Sequence, residues 1–239
     1  MTTLKIYADR VSQPARAVIL FCRLNGIEFE EVEIDIFKGV HLSPEYKEIN
    51  PMEQVPAIVH GEFKLFESHA ILIYLASAFP GIADHWYPAD LFKRAKTHSL
   101  LDWHHNNLRR GAMGYLLHLK LAPLFGVPLN PQAAAECRRI LEASLWRIDS
   151  FWLQGTGNFL LGNDRPSIAD LSLVSEIMQL QMLEEDDRNQ IVGPFKKVQQ
   201  WIEDVKNATQ PHFDDIHAVL FEAIAKMKEQ QANSSVPGS

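Results

Sequence analysis

The sequence predicts two units in series: an α/β unit over residues 1–79 and an all-helical unit over residues 91–229, with a linker at 80–90. Three observations carry this. Up to Phe79, short strand-like runs alternate with runs of helical spacing. Beyond Pro80-Gly81 no strand-like run remains. A chain of 239 residues also has the length for one large unit or two small ones.

The elements follow in order. Leu4-Lys5-Ile6-Tyr7-Ala8 reads as a strand. Residues 14–25 carry apolar side chains at helical spacing (Ala17, Val18, Leu20, Phe21, Leu24), and Gly26 ends that run. Residues 29–36 alternate apolar and acidic side chains, as a half-buried strand does. Residues 43–49 form a short helical turn. Residues 57–60 and 63–66 flank Gly61-Glu62, a hairpin signal, and 68–79 is an apolar helix. The order is β-α-β-α-β-β-α. A long helix follows over 89–120, with a kink expected near Gly111 or Gly114. Further helices are expected at 131–153, 167–182, 195–206 and 213–228, and a disordered tail over 230–239.

Composition excludes several classes of function. The apolar fraction of 46% is too high for a disordered chain, and two cysteines cannot staple a disulfide scaffold. Their scarcity fits a reducing, cytoplasmic setting. The net charge of -7 is spread over both halves, so no basic face for nucleic acid is expected, and an anionic ligand must be held by local groups. The longest uncharged runs, 68–83 and 121–135, contain proline and are too short to span a membrane. No metal-ligand spacing is present.

Four motifs carry the candidate chemistry. In Ser12-Gln13-Pro14-x-Arg16, proline starts a helix and Ser12 stands at its N-terminus. Ser12 alone reads as a cap or as an anion-binding hydroxyl. Val55-Pro56 opens a strand. A cis peptide there would present the Val55 backbone to an extended ligand, whereas a trans proline would mark only a strand edge. At Glu67-Ser68, Ser68 reads as an N-cap, and the pair could hold a carboxylate beside an ammonium. Ser167-Ile168-Ala169-Asp170 reads as a structural capping box without chemistry.

Taken together, these motifs in one β-α-β-α-β-β-α unit resemble the thioredoxin-like plan with a helical domain appended. The whole chain is similar to the theta-class glutathione S-transferases, a plant-like member among them. The resemblance rests on Val11-Ser12-Gln13-Pro14-x-Arg16-Ala17-Val18, Lys38-Gly39-Val40-His41-Leu42-Ser43, Gln54-Val55-Pro56-Ala57 and Glu67-Ser68. Asp84-His85-Trp86-Tyr87-Pro88, Leu108-Arg109-Arg110 and Ser167-Ile168-Ala169-Asp170-Leu171 continue it.

The resemblance implies a glutathione transferase, with glutathione as co-substrate and a hydrophobic electrophile or a hydroperoxide as partner. The Ser12 hydroxyl would stabilise the glutathione thiolate. His41 and Gln54 would bind the glycyl end, Val55 the cysteinyl backbone, and Glu67 with Ser68 the γ-glutamyl head. Arg109, Met113 and Leu117 are candidates for the electrophile site. A homodimer is implied, in which relatives lend an acid across the interface. The aligned position here is Asn106, and Asp102 is the nearby substitute. Pro56, Ser167 and Asp170 are structural. Tyr7 reads as strand packing, although other classes use a tyrosine near the N-terminus. Cys22 and Cys137 read as packing. A non-catalytic binding or assembly module on the same fold is the competing reading.

Overall fold

The computed structural model describes residues 3–234. Strand β1 (Leu4–Ala8) lies at the centre of a four-stranded sheet ordered β2-β1-β3-β4. It runs parallel to β2 (Phe29–Glu33) and antiparallel to β3 (Ala57–His60). β3 turns at Gly61 into the antiparallel β4 (Phe63–Phe66). Helix α1 (Gln13–Leu24) makes the β1-to-β2 connection, the short α2 (Pro44–Lys47) lies between β2 and β3, and α3 (Ser68–Ala78) closes the unit. The β-α-β-α-β-β-α order is therefore as the sequence predicts.

The second strand ends at Glu33, three residues short of the expected Ile36. The Asp9 carboxylate accepts the Ile36 N–H at 3.1 Å and the Val11 N–H at 2.9 Å. The Ile34 N–H still donates to the Ala8 carbonyl of β1, and from Ile36 onward the chain is tied to the loop after β1.

Every α1 side chain from Ala15 to Cys22 is buried, because the helix is enclosed by the sheet, α3, and two helices from further along the chain, α7 (Ile168–Met178) and α10 (His212–Ser234). One continuous apolar core runs from Leu4 to Leu220 across both parts of the chain. In the expected linker, Trp86 packs edge-on against Phe21 with ring centroids 5.7 Å apart.

The long helix begins at Leu91, where the Asp90 carboxylate caps it by accepting the Lys93 N–H. It continues as α4 (Leu91–His104), a wider π-type turn (His105–Arg109), α5 (Arg110–Leu116) and a second π-type turn (Leu117–Leu121). The glycines expected to kink it serve another purpose. A Cβ at Gly111 would lie 2.5 Å from the Leu141 backbone nitrogen, and one at Gly114 would lie 2.6 Å from Cys137 Sγ. Both let α5 approach α6 (Pro131–Arg147) closely.

The capping box forms as expected. Asp170 is fully buried and accepts from Ser167 N–H and hydroxyl, the Leu160 N–H and the Trp201 indole. Burial raises its carboxyl despite these donors. Helix α8 (Glu185–Val192) was not expected, because its acidic first turn carries no apolar period; α9 (Lys196–Ala208) was. Helix α10 continues to Ser234, past the expected start of a disordered tail at residue 230, since Gln230, Gln231 and Ala232 favour helix. Residues 235–239 of that tail lie outside the described residues.

Candidate active site

Two adjoining cavities open where the sheet unit meets α4, α5 and α7. The larger, about 480 Å³, is lined by Ser12, His41, Gln54, Val55, Arg109 and Met113, with Phe37 and Phe125 among its apolar walls. The smaller, about 150 Å³, shares Gln54, Val55 and Arg109 and adds Glu67, Ser68 and Glu176.

Ser12 occupies the N-cap position of α1, but its hydroxyl makes no capping hydrogen bond. The backbone holds it instead, Ser12 N–H donating to the Asp9 carbonyl at 3.0 Å. The loop before it is anchored by Arg16, which is fully buried. Its guanidinium donates to the carbonyls of Arg10 and Val11 on one side, and to the Ser175 carbonyl and Gln179 Oε1 of the α7 segment on the other. Burial lowers this guanidinium to about 10, opposed by the charges of Glu176 and Asp9, so it stays a cation at neutral pH.

The Val55–Pro56 peptide is cis. The preceding Gln54 carbonyl accepts from Tyr46 Oη at 2.6 Å and from Asn50 Nδ2 at 2.7 Å, with Asn50 buried. Tyr46 and Asn50 therefore fix the segment that presents Val55. Glu67, at φ 68°, is the N-cap residue of α3, and Ser68 is its first helical residue; the sequence reading placed the cap one residue late. Ser68 is buried at the smaller cavity. His41 lies in the short turn Val40–Leu42, and its Nδ1 is buried without a partner.

Arg109 lines both cavities and donates to Glu176 Oε2 at 2.9 Å. Burial alone would raise the Glu176 carboxyl, but Arg109 and His104 together hold it below its ordinary value. Met113 lines the larger cavity, and its sulfur accepts from Gln13 Nε2 at 3.2 Å. Leu117 lines neither cavity. It packs on the core where the helix widens into its π-type turn. Asp102 and Asn106 are exposed and line neither cavity. Tyr7 packs at a tilt on Tyr46, with ring centroids 6.2 Å apart, and lines neither cavity. Burial pushes up the thiols of Cys22 and Cys137, as suits packing residues.

Sequence reasoning missed Arg16 as an anchor, the Tyr46–Asn50 support, and a buried polar network beside Glu176. His69 Nε2 lies 2.8 Å from Ser172 Oγ and 3.1 Å from His104 Nδ1. A signal for Glu176 existed: it and Asp170 are the only charged side chains in the apolar run 168–182.

Comparison with known proteins identifies the family and the fold. A family model described as "Glutathione S-transferase, N-terminal domain" matches residues 2–77. The chain is 62% identical to Glutathione S-transferase T1 of Arabidopsis thaliana, over 96% of this chain and 92% of the relative. It is 59% identical to Glutathione S-transferase T2 of the same plant, but spans 40% of that longer protein. Among solved structures, human glutathione-S-transferase T1-1 in its apo form superposes with a TM-score of 0.83 at 36% identity, over 93% of this chain and 91% of that one. Human glutathione transferase theta-2, in complex with glutathione and an unknown ligand, gives 0.84 at 33% identity, over 98% and 92%. The chain belongs to the theta-class glutathione S-transferases, enzymes that join glutathione to electrophiles. Among the described residues, no helix is long and apolar enough to cross a membrane.

The buried histidine generates a pH prediction. Burial, with His104 next, lowers His69 from 6.5 to about 2. Between those values the unfolded chain binds a proton that the folded chain refuses. His69 therefore costs stability as pH falls below about 6.5, by up to about 1.4 kcal/mol per pH unit. Urea unfolding at pH 7.5 and 5.5 should show a shallower pH dependence for His69→Gln than for wild type. Equal slopes would contradict the assignment.

Proposed function

We propose that this transferase activates glutathione through the Ser12 hydroxyl. The observation that supports it is that this hydroxyl makes no cap bond although it stands at the N-terminus of α1, on the wall shared with His41, Gln54 and Val55. A free thiol has a pKa near 8.5, so only a few per cent is ionised at neutral pH. Lowering it by about two units requires about 2.7 kcal/mol of preferential thiolate stabilisation. One hydrogen bond to a charged group contributes about 1.5–3 kcal/mol. A helix N-terminus adds about 0.3–1 kcal/mol. Serine therefore suffices without a general base.

In this reading the cysteinyl backbone pairs with Val55 in the manner of an added strand. His41 and Gln54 meet the glycyl end, and Glu67 with Ser68 the γ-glutamyl head. The thiolate attacks the electrophilic carbon and the leaving group departs with the bonding pair. Arg109, the cation lining the larger cavity beside Met113, draws anionic leaving groups. Pro56, Ser167 and Asp170 act through structure only.

The same thiolate can attack a peroxide oxygen. That step splits the O–O bond and releases the alcohol, and a second glutathione reduces the sulfenic product to disulfide and water. Wild type should conjugate glutathione and reduce cumene hydroperoxide. Ser12→Ala should lose roughly 10- to 150-fold in kcat/KM for conjugation while still binding glutathione. A variant as active as wild type would remove Ser12 from the mechanism. Wild type inactive in both assays would favour a binding or assembly module.

The assembly in this proposal is a cytoplasmic homodimer. Leu91 and Phe92, 73% and 80% exposed in the first turn of α4, supply apolar surface for a second copy. Sedimentation should give about twice the 27.2 kDa of one chain. A single-chain mass would contradict the dimer.

A further inference from the structure

The smaller cavity contains an acid that the reading of Glu67 and Ser68 leaves unused. Glu176 projects from α7 and is 1% exposed. Its Oε2 accepts from Arg109 Nη1 at 2.9 Å and stands 3.5 Å from His104 Nε2. Its Oε1 is buried without a partner. A buried carboxylate oxygen left unpaired is costly, so Oε1 calls for a donor arriving through the cavity. Among the side chains lining that cavity, the two carboxylates Glu67 and Glu176 face one guanidinium, Arg109, and that guanidinium is already engaged by Glu176. The His105 ring lines the same cavity and feels the charge of both carboxylates.

We propose that Glu176 receives the α-ammonium of the γ-glutamyl residue of glutathione from within the same subunit. This rests on the glutathione reading of the site. An ammonium carries three donors, enough to serve Glu67 and Glu176 Oε1 together. The α-carboxylate beside it goes to Ser68 and the first amides of α3, where the helix N-terminus favours an anion. The head group is then read as a zwitterion: its negative end by a helix start, its positive end by two acids on different elements. Arg109 acts here as the partner that keeps Glu176 ionised and oriented.

The test compares two ligands on two proteins by calorimetry. The ligands are glutathione and its deamino analogue, in which a glutaryl group replaces the γ-glutamyl group. The proteins are wild type and Glu176→Gln, a change that preserves shape and still accepts from Arg109. For glutathione, the substitution should cost roughly ten-fold or more in Kd. For the analogue it should cost little, because no ammonium is present to lose. Equal weakening of both ligands, or of neither, overturns the assignment and leaves Glu176 as packing. A wild type that takes up neither ligand overturns the glutathione reading itself, and this inference with it. Should the variant fail to fold, a crystal structure of the wild-type complex decides. The ammonium within hydrogen-bond distance of Oε1 supports the proposal, and a water alone at Oε1, with the ammonium on other groups, rejects it.

Discussion

Arg16 is the interaction on which the site depends. It sits inside a motif whose other members look like the business end, yet its side chain points away from the cavities and into the protein. Four of its hydrogen bonds join two pieces of chain far apart in sequence: the loop at Arg10 and Val11, and the α7 segment at Ser175 and Gln179. Burying a guanidinium is unfavourable unless its donors are met, and here only Nε lacks a partner. The charge is tolerated because the backbone of the loop and of α7 surrounds it. The loop that carries Ser12 is consequently positioned by the helical part of the chain as well as by its own strand.

That arrangement explains why the sheet unit and the helices share one core. α1 could not bury eight successive side chains against a sheet alone; α7 and α10 cover the rest. The site lies along this seam. Its larger cavity takes apolar walls from both sides, Phe37 from the first part and Phe125 from the second, stacked with centroids 5.9 Å apart. The smaller cavity is polar, and of its two acids Glu176 is held by Arg109. In the proposed function a chain of net charge -7 meets an anionic substrate with a few local groups and helix starts, in keeping with the dispersed charge of the sequence.

The parts legible in the sequence are those set by local chemistry. Alternation along 29–36 gave a strand, the apolar spacing of 14–25 gave a helix, and Ser167 with Asp170 announced a cap, all within reach of a single turn. Ser12, Val55-Pro56 and Glu67-Ser68 were legible because each punctuates an element boundary. What stayed hidden was set by distant partners. Strand β2 stops early, and the Ile36 amide beyond it goes to Asp9, more than twenty residues away. Helical spacing puts Leu117 on the face of Met113, but Met113 reaches the larger cavity while Leu117, one turn further along, packs on the core. Gly111 looked like a kink, and the reason for it, the Leu141 backbone, lies on another helix. Glu176 was visible as one of two acids in an apolar run, but its pairing with Arg109 was not.

The central claim is that the Arg16 anchor holds the Ser12 hydroxyl where it can stabilise a thiolate. The most direct test is the pKa of the glutathione thiol bound to Arg16→Lys, read from thiolate absorbance against pH. A lysine can bridge fewer of the four acceptors, so the account predicts a bound-thiol pKa shifted from the wild-type value toward the free value of about 8.5. A folded Arg16→Lys protein whose bound thiol titrates as in wild type would contradict it.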